Sequence, residues 1–245
     1  MPNNLELLLQ ENKIDGCLAV QASTSEEETE FLLKLAEDHN FIKGVVGWLD
    51  LCDPNIEKRL KHFSKNPKLK GLRHIVQVEP AGFMLRADFQ KGISLLEKFN
   101  LTYDILIYPY QLEETIALVS KFPKQKFILD HCAKPYIKEG KIDTWKFYID
   151  SLSKFKNVAC KISGLATEAD WNSWNLSEIK PYLDVVINSF GSNRLMLGSD
   201  WPVCLLAGNY KDALSIVEDH IEDFSKINQE KIMGLTALEW YNLID

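Results

Sequence analysis

Short apolar runs alternate with longer amphipathic stretches along the whole chain. The runs Cys17–Ala22, Gly44–Leu49, Leu72–Gln77, Asp104–Tyr108, Lys126–His131, Val158–Ser163 and Leu195–Ser199 are nearly continuous in apolarity. Strands buried on both faces read this way. Between them, Ser25–His39, Pro54–Phe63, Ala87–Phe99, Leu112–Phe122, Ile142–Phe155, Ser177–Phe190 and Asn209–His220 carry helical periodicity, and Asn228–Asn242 closes the chain. Ser25 with Glu28 three residues later predicts a capping box. Ser177 stands near the start of its helix, with Pro181 close behind. Strict strand–helix alternation predicts right-handed βαβ units and a parallel sheet. Leu5–Asn12 adds a helix ahead of the first strand, so the pattern holds eight helices but seven strands. A closed (β/α)8 barrel begins with a strand and has eight of each. The expected fold is therefore an α/β, TIM-like barrel whose first strand is missing from this chain, with residues 1–245 as one domain; an open doubly wound sheet is the alternative. The missing strand would leave two unpaired edges, around Cys17–Ala22 and Leu195–Ser199.

A length of 245 residues suits one such barrel. The formal charge of −7 disfavours nucleic acid or an anionic membrane as the main partner and suits a small-molecule substrate. No apolar run is long enough to span a bilayer, and Met1–Asn4 does not open a signal peptide. Five scattered cysteines without a CxxC pair predict reduced thiols and a cytoplasmic location. Oligomeric state is not readable from these features.

Polar residues recur where the apolar runs finish, which is where barrels of this kind place their chemistry. Lys126–His131 ends in Asp130 and His131. Leu195–Ser199 runs into Asp200, Trp201 and Pro202. Val158–Ser163 carries Lys161 and Ser163, and Leu72–Gln77 carries Arg73 and His74, followed by Glu79. Unpaired charges inside a barrel would cost several kcal/mol each, so these groups must pair, hold a metal or face a wet cavity. Each has a bland explanation alone: a structural histidine for His131, a cap for Asp130, a snorkelling lysine for Lys161, a local ion pair for Arg73. Their shared position at one end of successive strands is the stronger signal, and it predicts a ring of Arg73, His74, His131, Lys134, Lys161 and Asp200 around one mouth.

The strings Asp130-His131-Cys132-Ala133-Lys134-Pro135, Cys160-Lys161-Ile162-Ser163-Gly164-Leu165 and Gly198-Ser199-Asp200-Trp201-Pro202-Val203 resemble the amidohydrolase-related lactonases. So do Val45–Asp50 and Gly71–Gln77. The likeness runs in order over essentially the whole chain and is nearest to L-fuconolactone and L-rhamnonolactone hydrolases. It implies an amidohydrolase-type barrel with its site at the strand C-termini, a small-molecule lactone substrate, and His131, Asp200, His74 and Arg73 as catalytic residues. It implies a substrate-pocket role for Lys134, Lys161 and Trp201. Zn2+ or another divalent metal would be held by His131 and Asp200, lowering the pKa of bound water to about 7 and polarising the carbonyl. One departure is large. The family opens with a strand bearing His-x-His, and here no histidine precedes His39, which agrees with the strand count. A metal-dependent decarboxylase of the same superfamily and an inactive or binding-only truncated protein are the competing readings.

Overall fold

A computed structural model describes residues 2–243. The strands are β1 (Cys17–Val20), β2 (Ile42–Gly47), β3 (Leu69–Ile75), β4 (Thr102–Leu106), β5 (Phe127–Leu129), β6 (Val158–Ile162) and β7 (Leu195–Leu197). All pair in parallel with their sequence neighbours, in the order β1-β2-β3-β4-β5-β6-β7. The helices between and around them are α1 (Pro2–Glu11), α2 (Glu26–Asp38), α3 (Ile56–Phe63), α4 (Ala87–Leu96), α5 (Leu112–Lys121), α6 (Asp143–Leu152), α7 (Leu176–Phe190), α8 (Tyr210–Glu218), α9 (Lys226–Glu230) and α10 (Thr236–Trp240).

Side chains from strands that are not neighbours meet. Arg73 of β3 reaches Asp130 beyond β5, and Lys161 of β6 reaches Asp104 of β4. Such contacts need a curled sheet, and the seven strands form an incomplete (β/α)8 barrel as the sequence pattern predicts. The edges are β1 and β7, and among the described residues no strand pairs across the gap. Helix α1 covers part of it: Leu9 is buried with Tyr210 and Leu214 of α8, in a cluster that includes Cys17 of β1 and Leu197 of β7.

Period-two alternation sorts the strand residues into two layers. Leu72, Ile105, Leu129, Cys160 and Leu195 face the helices and form the larger core. Val46, Ile128, Ala159 and Met196 face the lumen. Trp240 and Tyr241, at the end of α10, fill its lower end beside them, burying aromatic area on the order of 2–3 kcal/mol each. Strands β2, β3 and β4 begin two or three residues before the apolar runs do; in β2 and β3 the added stretch contains a register irregularity that skips Lys43 and Lys70, so each lysine interrupts the apolar run without ending the strand. The Ser25 cap is half of the predicted box. Ser25 Oγ accepts from the Glu28 backbone N–H at 3.2 Å, but the Glu28 carboxylate turns back to accept from Ala22 and Ser23.

Candidate active site

The lumen above the aromatic plug holds a layer of charge. Lys161 Nζ lies 2.5 Å from Asp104 Oδ2 and 2.7 Å from Asp130 Oδ1. Arg73 Nη1 lies 2.8 Å from Asp130 Oδ2, and its other terminal nitrogen donates to the Gln21 carbonyl. Tyr241 Oη donates to Asp104 at 2.5 Å from below. Both carboxylates are fully buried. Burial works against the Asp130 anion, but Lys161 and Arg73 outweigh it and hold its pKa below the usual carboxylate range. Burial raises the pKa of Asp104, whose one cation is shared. Burial also opposes the Lys161 charge, yet the two aspartates keep that group more firmly protonated than an ordinary lysine.

One layer higher are the groups with unspent chemistry. By alternation Asp130 follows Ile128 onto the lumen face, so His131 would point away if the strand continued. It does not continue. His131, Cys132, Ala133 and Lys134 all take positive φ, between 50° and 59°. That turn swings the imidazole back over the lumen, where His131 Nδ1 lies 2.8 Å from Ser163 Oγ and Nε2 lies 3.8 Å from Asp200 Oδ1. Asp200 also has positive φ, at 54°. Left-handed backbone costs a non-glycine residue roughly 1–2 kcal/mol, and strain of this kind concentrates at functional positions. The turn is secured from outside: Trp145 Nε1 donates to the Cys132 carbonyl at 2.8 Å, and the Lys134 N–H donates to the His131 carbonyl at 2.7 Å. Burial lowers the pKa of His131, against the pull of Asp200 and Asp130, so the imidazole is biased toward its neutral form. Gly164, at φ 63°, presses against the pair: a Cβ there would lie 3.0 Å from His131 Nδ1 and 3.1 Å from Asp200 Oδ2.

The structure separates the other sequence-predicted residues. His74, next to Arg73 in sequence, shares the outward face with Leu72. Its ring stacks on Phe83 at 4.8 Å between centroids; Trp48 Nε1 donates to Nδ1 at 3.0 Å, and Nε2 lies 2.8 Å from Glu79 Oε1. Lys134 stands 3.2 Å from Glu168 and over the Tyr108 ring. Trp201 packs in the cluster under α1. Lys161, expected in the substrate pocket, has its ammonium committed to two carboxylates. Four residues that sequence reasoning left without a site role enter here: Gln21, Asp104, Ser163 and Gly164. A charged residue inside an apolar strand, as in Tyr103-Asp104-Ile105, is a signal for a buried partner; Ser163 is marked only by its place at the end of the Val158–Ser163 run, which gives it no role. Among the described residues no group of three His, Cys, Asp or Glu side chains is disposed to hold a metal ion.

The amidohydrolase family pattern matches residues 7–243. A Burkholderia multivorans protein named L-fucono-1,5-lactonase is 37% identical over 255 residues, covering 99% of this chain and 86% of its own. A protein of the same name from Burkholderia ambifaria is 32% identical over 86% of this chain and 73% of its own. Crystal structures of a Burkholderia multivorans amidohydrolase, one with bound HEPES and one with bound zinc, superpose with a TM-score of 0.96 at 36% identity, covering 100% of this chain and 89% of theirs.

Proposed function

Because this chain belongs to the amidohydrolase family, we propose that it hydrolyses a sugar lactone, with Asp200 as general base and His131 as the donor that polarises the lactone carbonyl. The observation that carries the reading is the facing pair of His131 Nε2 and Asp200 Oδ1. At 3.8 Å they are too far apart to satisfy each other. A water and a carbonyl oxygen fit the chemistry of the space they share. Asp200 takes a proton from the water as its oxygen attacks the carbonyl carbon. His131 Nε2–H stabilises the oxygen on which negative charge develops. The ring C–O bond then breaks, the proton passes to the leaving oxygen, and a hydroxy acid results. The names of the Burkholderia relatives support L-fucono-1,5-lactone as the first substrate to try. Lys134, three residues after His131, and its partner Glu168 are partly exposed and suited to hydrogen-bond sugar hydroxyls. Arg73 acts through Asp130, and His74 with Glu79, Trp48 and Phe83 supports the wall outside the lumen. The scattered free cysteines support a reducing, cytoplasmic setting.

Zinc is present in one crystal of the Burkholderia multivorans amidohydrolase. Here His131 Nε2 and Asp200 are donors of the right kind. Catalytic zinc takes three protein ligands, and these two do not make that set.

The test is acid release from a panel of hexono- and pentonolactones by the purified chain. Asp200→Asn should lower kcat/KM by about 10²–10⁴-fold, the usual worth of a general base, with an unchanged unfolding midpoint. Opening of every lactone at the spontaneous rate would refute the reading.

A further inference from the structure

We infer that Ser163 is a positioning residue: its hydroxyl donates to His131 Nδ1 and so fixes the proton of the neutral imidazole on Nε2, the nitrogen that faces Asp200. The role rests on the lactonase reading above, but the tautomer is measurable without any substrate.

The geometry comes from the strands. Alternation along β6 puts Ala159 and Lys161 on the lumen face, and Ser163 follows them one step beyond the strand end. There its Oγ lies 2.8 Å from His131 Nδ1, a full-strength hydrogen-bond distance. The site is enclosed. Ser163 is 6% exposed and His131 8%. Gly198 closes the far side, where a Cβ would lie 3.0 Å from Ser163 Cβ. The serine therefore has little freedom to leave its partner.

A hydroxyl can donate or accept, so the direction needs an argument. Of the two ring nitrogens, Nε2 faces the Asp200 carboxylate and Nδ1 does not. A carboxylate favours the N–H over the lone pair on the nitrogen it faces. That leaves the lone pair on Nδ1, and Ser163 must donate to it. The same assignment serves the chemistry. A donor to the lactone carbonyl needs Nε2–H, whereas the opposite tautomer would aim two lone pairs, from His131 and Asp200, into one space. Which ring nitrogen of a histidine carries the proton is set by the hydrogen bond the other makes; for metal-binding histidines, loss of such a partner costs about 10–100-fold, which sets the scale expected of Ser163.

Histidine 15N NMR of the whole chain tests the assignment. Five histidines give a spectrum that single substitutions can assign. At neutral pH His131 should give the Nε2–H pattern, and Ser163→Ala should turn it into a mixture of tautomers. On a lactone substrate, Ser163→Ala should lower kcat by about 10–100-fold and leave KM within about twofold, with Ser163→Thr recovering most of the loss. If the crowding at Gly198 prevents Ser163→Thr from folding, the wild-type spectrum still decides. An Nδ1–H pattern in the wild type overturns the inference, as does an unchanged tautomer or an unchanged kcat in Ser163→Ala. A correct tautomer without lactone turnover would sink the proposed substrate and leave Ser163 with its assignment.

Discussion

Lys161→Met should destabilise the protein more at neutral pH than at acid pH, because it removes the one cation shared by two buried carboxylates. Methionine keeps the length and apolar stem of lysine and removes the charge. Asp130 retains Arg73 at 2.8 Å, but Asp104 is left with two neutral donors, the hydroxyls of Tyr241 and Thr102. Breaking a buried pair from one side costs about 3–5 kcal/mol. The variant can avoid an unpaired anion by protonating Asp104. Holding a carboxyl neutral at pH 7 against an unfolded pKa near 3.9 costs about 4 kcal/mol, so the two estimates agree. The sign then follows. In the variant, Asp104 has a folded pKa raised further above its unfolded value. Above about pH 4 the folded state binds the extra proton and the unfolded state does not. The wild-type folded Asp104 is itself raised by burial, so the loss relative to wild type grows by up to about 1.4 kcal/mol per pH unit only where the wild-type carboxyl has ionised and the variant's has not. Urea unfolding should give about 3–5 kcal/mol of lost stability at pH 7 and a distinctly smaller loss at pH 5. Adding Asp104→Asn should recover much of the pH 7 loss, since it removes the orphaned charge. A loss that is under 1 kcal/mol, or the same at both pH values, would refute the account of the charged layer. A variant of full stability with a raised KM would return Lys161 to the substrate pocket.

Two further outcomes follow from the upper layer. Burial lowers the folded pKa of His131, so below about pH 6.5 the unfolded chain binds more protons than the folded one. Its contribution to stability should fall as pH drops from about 6.5 toward the folded pKa, and its NMR titration should have a midpoint below about 6.5; a midpoint above that would contradict the burial argument. Gly164→Ala would put a methyl 3.0 Å from His131 Nδ1 and 3.1 Å from Asp200 Oδ2 at a φ of 63°. It should cost about 1–2 kcal/mol of stability and about 100-fold in kcat, the latter from displacing the pair; unimpaired turnover would mean that the two side chains do not act together.

The barrel was legible because seven buried strands leave seven apolar runs, and the count alone exposed the excess helix. The division of the polar residues was less legible, although the rule for it is simple. Arg73 and His74 are adjacent, so in a continuing strand they face opposite ways. Arg73 enters the lumen to meet Asp130, and His74 joins Phe83 and Trp48 outside it. Grouping both at one mouth overlooked that period. The same rule applied to Asp130 and His131 would fail. It predicts Asp130 in the lumen, where it is, and His131 outside, where it is not. The difference is the turn at 131–134, four non-glycine residues in a left-handed conformation that their side chains do not favour. No local propensity announces such a turn. Tertiary partners hold it: Lys161 and Arg73 anchor Asp130 at its entrance, and Trp145 caps the Cys132 carbonyl from the helix layer. The charged layer and the His131–Asp200 pair are thus coupled through one backbone. Ion pairing below fixes Asp130, and the turn that leaves Asp130 carries the imidazole to Ser163 and Asp200. A substitution in the lower layer that preserved the fold but relaxed this turn would silence the site without touching any group in it.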